Sequence, residues 1–591
     1  MRLHRRSSNL ASSTLGVAAL TALCAAGVRM HALGGKKANA PAPYRERYAV
    51  ATENATATRV GIEALRAGAN AVDTAIAVAL TLGVVQPASS GIGGGGFALV
   101  WDASQRKVTA LDFREVAPGT IDPALLEYRS KTSVATGRGR MIGVPGEVAG
   151  LAELHRRFGR RSFAEDAAPA AAIAEGGYYT SDHLARLALA YHAQLNWSDP
   201  LRTLFKPDGY AASVGRRIAN APLAATLRRI GAEGPKAFYE GHVAMEMVKA
   251  SADAGGFLST QDLRAYRPVE REPLKVNWEG HTVYTMPPPS AGGLLLAETL
   301  GTFGKADLEP FQLGSGAYNH LLAETFRGAI ADRMHAIGDP AFVDTNVSAL
   351  MERVRLLDRR AQIALDRSRP PQKFFLQEHG TTHFVVVDAE GNVVSLTTTI
   401  NDAFGAFVGT ETTGVILNDE LDDFTTKAAS TLYSTGKGVT ASRVPEASST
   451  AAGPNEPRAF ARPTSSMTPT IAFRDGLPVL ALGGSGGLRI ATGVTEAFLA
   501  RTVFQRSAAD CVSMTRFHTP VDDAPSGGPV LELDESSSDE LVQDLKRRGE
   551  VVRTTPNYSA VQMVTIERGP HGAVRLSAAS DPRKGGTALV E

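Results

Sequence analysis

The chain contains little cysteine and few aromatic residues. Of its 591 residues, two are cysteine, Cys24 and Cys511, and 6% are aromatic. If the N-terminal segment that carries Cys24 is removed, no internal disulfide can form, so stability must come from packing. The formal net charge is only +1, which gives no support for binding to nucleic acid. With 43% hydrophobic and 21% charged residues, the composition is that of a soluble globular protein with a large core or several domains.

The apolar run at the N-terminus is short. It covers residues 15–26 and follows three arginines. A run of about a dozen residues fits the core of a signal peptide better than a membrane span. We therefore predict that residues 1–40 are a signal peptide and linker, cleaved near Ala26 or later near Ala32, and that the protein is periplasmic or secreted. An uncleaved N-terminal anchor is the alternative.

Two helical patterns follow this segment. The first covers about residues 54–66 and ends at Gly68, and the second starts from Asn70 as N-cap and is expected to end at Gly83. The second pattern is apolar on nearly all sides, which predicts a buried helix.

Residues 90–97 contain five glycines but do not match a phosphate-binding loop. The run precedes a predicted strand at 97–101 instead of following one, and no Lys-Ser or Lys-Thr ends it. Close packing of backbones explains the glycines better. The next predicted strand, 107–113, places Arg114 at its end. Such an arginine is most often a surface ion-pair partner, although it can also bind a carboxylate with both arms of its guanidinium.

A β-hairpin is predicted at residues 383–400. Two β-branched runs flank a turn that ends in Gly391-Asn392, and a three-residue loop with Gly391 in the left-handed conformation is a common hairpin geometry. Paired residue numbers then add up to 780, so Thr381 lies opposite Thr399. The ordinary interpretation is that threonine favours strands and pairs with threonine across them.

A second interpretation is that Thr381 becomes an N-terminus. A threonine hydroxyl is a poor nucleophile unless a base removes its proton, and a free α-amine with a pKa of about 7.7–8.0 is such a base. Before cleavage, the same hydroxyl could attack the carbonyl of Gly380, because glycine leaves this carbonyl uncrowded and tolerates a strained turn. Spacing alone does not decide between the two interpretations.

Acidic residues cluster at 418–424, after a predicted strand. They lie close together without histidines, so we predict no metal site and no cofactor. Residues 425–462 are rich in Ser, Thr, Ala, Gly and Pro with little periodicity, which indicates a mobile loop.

Motifs along the chain resemble those of γ-glutamyltranspeptidases, which are N-terminal nucleophile hydrolases that cleave themselves in two. The resemblance covers about residues 47–585. The matching segments are 68–73, 89–95, 112–118, 143–150, 258–263, 286–293, 331–333, 338–340, 381–401, 462–470, 483–487 and 579–583.

The resemblance implies a fold class and a set of site residues. The fold would be α+β, a four-layer αββα sandwich built from a large subunit, 41–380, and a small subunit, 381–591. Cleavage would fall between Gly380 and Thr381, and neither a cofactor nor a metal is needed. The implied roles are nucleophile for Thr381, tuning of its hydroxyl for Thr399, and oxyanion N–H donors for Gly486 and Gly487.

The same resemblance implies how a donor is held. Its α-carboxylate would bind Arg114, Ser465 and Ser466, and its α-amine would bind Asn401, Glu420 and Asp423. The loop would be a lid that carries Tyr433 over the site. Two features depart from the family pattern: Ser485 stands where proline is commoner, and the loop is longer, with residues 437–457 predicted as the extra part within 434–461.

The predicted function is therefore that of a self-processing γ-glutamyl transferase or hydrolase. Its donor would be glutathione or a related γ-glutamyl compound, and the acceptor would be water, an amino acid or a peptide. A related acylase that cleaves glutaryl-β-lactams or other amides is one alternative, although Asp423 argues against it. An exported binding protein that stays one uncut chain is the other.

Overall fold

The computed structural model describes residues 46–126, 137–369, 380–425, 453–520, 528–556 and 559–591. All of them belong to one unit that spans residues 44–591. The predicted signal segment, Tyr433 and residues 437–452 of the predicted extra loop lie outside the described residues, so their predictions stay untested. Residues 453–457 of that loop are described, and the side-chain amide of the buried Asn455 donates to the carbonyl of Asp423 at 2.7 Å.

Strands and helices are mixed along the described chain. The strands are Ala49–Thr52 (β1), Gly95–Asp102 (β2), Lys107–Asp112 (β3), Tyr178–Tyr179 (β4), Arg217–Ile218 (β5), Val269–Arg271 (β6), Leu274–Trp278 (β7), His281–Thr285 (β8), Thr382–Val387 (β9), Val393–Thr399 (β10), Val408–Gly409 (β11), Ile416–Leu417 (β12), Thr470–Arg474 (β13), Leu477–Ser485 (β14), Phe517–His518 (β15), Val530–Asp534 (β16), Val551–Thr555 (β17), Ala560–Arg568 (β18), Val574–Ser580 (β19) and Thr587–Val590 (β20).

The helices are Ala55–Arg66 (α1), Ala71–Val85 (α2), Pro123–Leu126 (α3), Glu147–Phe158 (α4), Phe163–Gly176 (α5), Asp182–Ala190 (α6), Asp199–Phe205 (α7), Ala221–Glu233 (α8), Lys236–Tyr239 (α9), Gly241–Asp253 (α10), Thr260–Ala265 (α11), Gly292–Thr302 (α12), Lys305–Leu308 (α13), Gly316–Ala336 (α14), Val347–Leu350 (α15), Arg353–Ala361 (α16), Arg489–Thr502 (α17), Ala508–Ser513 (α18) and Asp539–Arg547 (α19).

The predicted hairpin forms the middle of the larger sheet. Its strand order is β20-β1-β9-β10-β2-β3-β6, and all its neighbouring strands are antiparallel. Val387 pairs with Val393 and Thr382 with Thr398, which is the predicted register. Gly391 has φ +83°, the left-handed conformation that the three-residue loop requires. The hairpin prediction is therefore confirmed.

A second antiparallel sheet has the order β19-β18-β14-β13-β8-β7. Alternate residues of β9 enter different cores, as the twofold period of a strand requires. Phe384 and Val386 pack with the apolar residues of α1 and α2, whereas Val385 and Val387 pack with residues of the second sheet and of α12, α14 and α17. Strand β9 is thus buried on both faces, which explains its unbroken apolar sequence.

The first two helices begin where the sequence predicts. Asn54 caps α1 by accepting a hydrogen bond from the backbone N–H of Thr56, and Asn70 forms a capping box with Asp73 at the start of α2. The predicted end of α2 at Gly83 is wrong, because the helix continues to Val85. A Cβ at residue 83 would lie 2.8 Å from the Cα of Gly91, so this glycine serves a close backbone contact and not a helix end.

Cys511 is buried and carries a free thiol. Within the described ranges, we find no helix that is both long and apolar enough to cross a membrane.

Candidate active site

Thr381 precedes the first residue of β9 and is almost completely buried, with 5% of its surface exposed. Its φ of +93° is unusual for a β-branched residue and takes it out of the strand ladder. Its hydroxyl nevertheless meets the hydroxyl of Thr399, with 3.1 Å between the two Oγ1 atoms. The backbone N–H of Thr381 donates to the carbonyl of Ser89 at 3.1 Å. The predicted proximity of the two threonines is confirmed.

The peptide bond before Thr381 is held on its carbonyl side. The carbonyl oxygen of Gly380 accepts a hydrogen bond from the N–H of Gly486 at 3.3 Å. Gly380 has φ +139°, and a Cβ at this position would lie 1.7 Å from the carbonyl oxygen of Asn401, so only glycine fits. Gly486 and Gly487 follow β14 with φ values of +117° and +62°.

The hydroxyl of Thr399 is also oriented by the backbone that follows it. The N–H of Asn401 donates to Oγ1 of Thr399 at 2.8 Å. Glycines of the run before β2 make room for this strand, since a Cβ at Gly94 would lie 1.9 Å from the carbonyl oxygen of Thr399. The interpretation of the glycine run as a close backbone packing site is therefore confirmed.

Arg114 lies two residues after β3 and is 1% exposed, so the surface ion-pair interpretation does not apply. Its guanidinium donates to the carboxylate of Glu420 and, at 2.5 Å, to Oδ2 of Asp423. It also donates to the carbonyl oxygens of Pro463 at 2.7 Å and Thr464 at 2.6 Å. Arg114 was predicted to bind the carboxylate of a donor, and Glu420 and Asp423 its ammonium. In this structure the arginine and the two acids bind each other.

A short 3₁₀ turn, Glu420–Asp423, presents these two acids after β12. The turn is fixed to the end of the hairpin, because the N–H of Asp419 donates to the carbonyl of Ile400 at 3.2 Å and the side-chain amide of Asn401 donates to the carbonyl of Asp419 at 3.2 Å. Asn401 therefore contacts both the threonine pair and the acidic turn.

The two predicted serines lie just before β13 and are buried. Oγ of Ser465 accepts from the N–H of Met467 at 3.1 Å, and Oγ of Ser466 accepts from the guanidinium of Arg333. Ser465 follows Thr464, whose carbonyl binds Arg114. The serines are therefore beside the arginine, as predicted.

Two buried carboxyls adjoin these groups and were not singled out from the sequence. Desolvation raises the pKa of Glu115 well above its usual value, and the charge of nearby Glu420 adds to this. Desolvation likewise raises the pKa of Glu147 to about 8, partly offset by a hydrogen bond of 2.7 Å that it accepts from the hydroxyl of Thr398. Both acids favour the neutral form, which limits the negative charge around Arg114.

Lys584 is a third residue that the sequence does not single out. It is 4% exposed, and its ammonium donates to the carbonyl oxygen of Thr381 at 3.2 Å. A lone lysine after the matching segment 579–583 carries no signal by itself, and only the folded chain brings it to Thr381.

The family model for γ-glutamyltranspeptidase matches residues 57–591. The chain belongs to the γ-glutamyltranspeptidase family. It is 32% identical over 545 residues to a glutathione hydrolase proenzyme of Escherichia coli strain K12, and the match covers 90% of each chain.

Solved structures agree with this γ-glutamyltranspeptidase assignment. A cephalosporin acylase from Bacillus halodurans matches with a TM-score of 0.78 and 25% identity, covering 93% of this chain and 98% of that one. A γ-glutamyltranspeptidase from Pseudomonas nitroreducens complexed with L-DON matches with a TM-score of 0.50 and 32% identity, covering 54% of this chain and 94% of that one. The mixed α/β fold with antiparallel sheets is therefore similar to both kinds of enzyme.

Proposed function

We propose that the protein cleaves its own chain between Gly380 and Thr381, and that the freed Thr381 then transfers γ-glutamyl groups. The donor is glutathione or a related γ-glutamyl compound, and the acceptor is water, an amino acid or a peptide. The observation that carries this proposal is the meeting of three groups: the Thr381 hydroxyl, the Thr399 hydroxyl and the Gly486 N–H on the carbonyl of Gly380.

Self-cleavage follows from this arrangement. Oγ1 of Thr381 attacks the carbonyl carbon of Gly380, its proton passes to the departing nitrogen of Thr381, and the amide becomes an ester. The N–H of Gly486 stabilises the negative charge that develops on the Gly380 oxygen. Water then opens the ester, leaving a carboxylate on Gly380 and an α-amine on Thr381. The products are a large piece ending at 380 and a small piece of 211 residues, in a four-layer αββα arrangement.

Turnover reuses the same atoms. The neutral α-amine takes the proton of the Thr381 hydroxyl, which attacks the γ-carbonyl of the donor. The hydroxyl of Thr399 tunes the nucleophile, and the N–H groups of Gly486 and Gly487 receive the oxyanion. Collapse expels the leaving amine and gives a γ-glutamyl ester of Thr381, which water or an acceptor amine resolves.

Recognition of the donor rests on an exchange of ions. A γ-glutamyl group carries a carboxylate and an ammonium on one carbon. The carboxylate can replace Glu420 and Asp423 on the Arg114 guanidinium, and the ammonium can then take those two acids together with Asn401. Ser465 and Ser466 complete the carboxylate site. Each charge keeps a partner throughout, so binding leaves no ion unpaired.

A related acylase activity is the second candidate, and the structural similarity to cephalosporin acylase over 93% of the chain favours considering it. An acylase substrate with a glutaryl group has the carboxyl chain but no α-ammonium. Its carboxylate would draw Arg114 away from Glu420 and Asp423, and it has no ammonium to take the place of Arg114 beside these two acids.

Two measurements test the proposal. We expect purified protein to run on a denaturing gel as two bands, the smaller of about 22 kDa with Thr381 as its first residue. We also expect release of chromophore from a γ-glutamyl anilide to exceed release from the glutaryl analogue. An active protein that remains one uncut chain would refute the mechanism, and preference for the glutaryl compound would favour the acylase.

The predicted export belongs to the same proposal. A periplasmic or secreted enzyme would meet extracellular γ-glutamyl compounds and would keep no stable membrane anchor once residues 1–40 are removed. Fractionation of cells that express the full chain tests this, since the active protein should appear outside the cytoplasm.

A further inference from the structure

Lys584 occupies a buried position that the proposed reaction leaves unexplained. It ends a short 3₁₀ turn, Pro582–Lys584, between β19 and β20. Its ammonium has three partners: the carbonyl oxygen of Thr381 at 3.2 Å, Oγ of Ser485 at 2.6 Å and Oε2 of Glu53 at 3.4 Å. A lysine is seldom buried this deeply unless its charge is paired.

Glu53 pairs with this charge. It follows β1, is 1% exposed, and its Oε1 accepts a hydrogen bond from the N–H of His383 at 3.2 Å. Desolvation raises the pKa of Glu53, while the charge of Lys584 opposes this rise. The pair therefore connects the strand before α1 to the second residue after Thr381.

Ser485 provides the link to the oxyanion loop. It is the last residue of β14 and directly precedes Gly486, whose N–H binds the Gly380 carbonyl. Its hydroxyl is the shortest contact of the Lys584 ammonium. At this position the chain departs from the commoner proline, which has no hydroxyl to offer.

We propose that Lys584 is a positioning residue that joins the backbone of the nucleophile to the oxyanion loop, an inference that rests on the proposed function. When the bond between Gly380 and Thr381 breaks, Thr381 loses its covalent attachment on the nitrogen side. Its remaining polar backbone anchor on the carbonyl side is the Lys584 ammonium. By binding Ser485 at the same time, Lys584 sets the distance between the Thr381 hydroxyl and the N–H donors.

The strained backbone of Thr381 makes such an anchor necessary. A φ of +93° is disfavoured for a β-branched residue and persists only where surrounding contacts hold it. Without the ammonium, Thr381 of the uncut chain can relax to an ordinary conformation and carry its hydroxyl away from Gly486. Once the bond to Gly380 is broken, the residue has no φ, and the same ammonium then holds the carbonyl of the freed N-terminal residue in place. A displacement of about 1 Å of a reacting group lowers rates by about 10²-fold.

The test compares Lys584→Met with a control that breaks another buried ion pair of the same C-terminal block. Arg516→Met removes one of the two arginine partners of Asp581, the other being Arg583. Arg516 also binds the carbonyls of Val512 and Ser559 but has no described bond to Thr381 or Ser485. We expect Lys584→Met to slow both self-cleavage and kcat for a γ-glutamyl anilide by about 10²-fold with KM unchanged. Arg516→Met should lower the melting temperature but keep both rates.

Ser485 supplies a milder pair of variants. Ser485→Ala removes one acceptor and keeps the pair of Lys584 with Glu53, so we expect both rates to fall about 10-fold, as for one hydrogen bond to a charged group. Ser485→Thr keeps the hydroxyl and should restore most of the rate. A purely structural role would not make kcat follow the hydroxyl while KM stays constant.

The outcomes separate the anchor from the proposed function. Normal rates in folded Lys584→Met overturn the anchor alone, provided the wild type is cleaved at Thr381. If Lys584→Met does not fold, the serine variants decide, and equal rates for Ser485→Ala and the wild type overturn it. If the wild type is not cleaved at Thr381, the proposed function and the anchor both fail.

Discussion

The threonine pair and the arginine cluster are neighbouring regions of the site whose side chains have different kinds of bonding partner. The hydroxyls of Thr381 and Thr399 have neutral partners, namely each other and the backbone N–H of Asn401, and the charged Lys584 ammonium binds Thr381 only at its carbonyl oxygen. Around Arg114, the partners are two carboxylates and two carbonyls. Breaking the chain's own peptide bond needs no ion from a substrate, whereas choosing a substrate does. The difference indicates that bond cleavage and recognition can be altered separately.

Removing the nucleophile should produce the largest effect. We expect Thr381→Ala to remain one chain and to release no chromophore, because the substitution removes the hydroxyl that attacks in both proposed reactions. Thr382→Val is the matched control, since the neighbouring Thr382 hydroxyl is buried and makes no hydrogen bond. Denaturing gels and the anilide assay check both. Cleavage in Thr381→Ala, or its loss in Thr382→Val, would contradict the assignment.

A substitution in the arginine cluster should impair substrate turnover but not self-cleavage. Arg114→Lys keeps the charge but loses the planar fork, so we expect kcat/KM for γ-glutamyl substrates to fall by a factor equivalent to about 2–5 kcal/mol. Self-cleavage should proceed normally, because it involves no substrate carboxylate. The gel therefore acts as the internal control. If Arg114→Lys blocks cleavage, the two regions are not separable.

A substitution at Thr399 tests the threonine pair, the region whose hydroxyls have neutral partners. Thr399→Val keeps the shape but removes the hydroxyl that binds Thr381, so we expect acylation to slow by about 10²–10³-fold. The measurement is single-turnover acylation on fully processed protein, which removes any delay in maturation. An unchanged rate would exclude Thr399 from the mechanism.

A substitution at Asp423 tests the arginine cluster, the region whose partners are charged. Asp423→Ala should lower γ-glutamyl turnover strongly and glutaryl turnover little, because only the γ-glutamyl group brings an ammonium. Asp422→Ala, one residue away on the same turn, is the control and should affect neither. Equal losses on both substrates would remove the γ-glutamyl assignment in favour of the acylase.

Glu147 lies between the regions, and its effect should be the smallest. Its pKa of about 8 exceeds the ordinary 4.5, so the folded state holds an extra proton between these pH values. The free energy of unfolding therefore falls as pH rises through this window, by up to about 1.4 kcal/mol per pH unit. Glu147→Gln cannot titrate, so its stability relative to the wild type should increase from pH 5 to pH 8.

Melting temperatures across this range check the prediction. Glu153→Gln on the same helix is the control, because arginine hydrogen bonds lower the pKa of Glu153 to about 2 and its titration is complete below pH 5. Its difference from the wild type should stay constant between pH 5 and pH 8. A constant difference for Glu147→Gln as well would mean that this carboxyl is ionised in the folded protein.

Much of this picture could be predicted from local sequence patterns. The hairpin register, the left-handed Gly391 and the helix caps at Asn54 and Asn70 depend on residues close together in the chain, so the sequence contains their signal. The end of α2 is predicted wrongly because Gly83 is required by its close backbone contact with Gly91 and does not end the helix. Only the folded chain reveals this contact.

The charged surroundings of the site could not be predicted in the same way. Lys584 and Glu53 are separated by most of the chain, and neither belongs to a pattern with a recognisable spacing. The direct binding of Arg114 to Glu420 and Asp423 could not be predicted either, because the roles that the resemblance implies concern a bound donor and do not specify how these three charged side chains pair with each other. Burial, which requires those charges to be paired, is a property of the fold.

The order of strands in the larger sheet has a consequence for assembly. Strand β1 belongs to the part before Thr381, yet it pairs with β9 on one side and β20 on the other, both from the part after it. Two pieces made by cleavage would therefore stay interlocked, as a ribbon held between two others. If the two pieces were produced separately, they would meet only at their ordinary concentrations. At each encounter, an existing ladder of hydrogen bonds between strands would have to open. The uncut chain brings these ribbons together at high effective concentration, so the bond that is later broken would serve as the template for assembly.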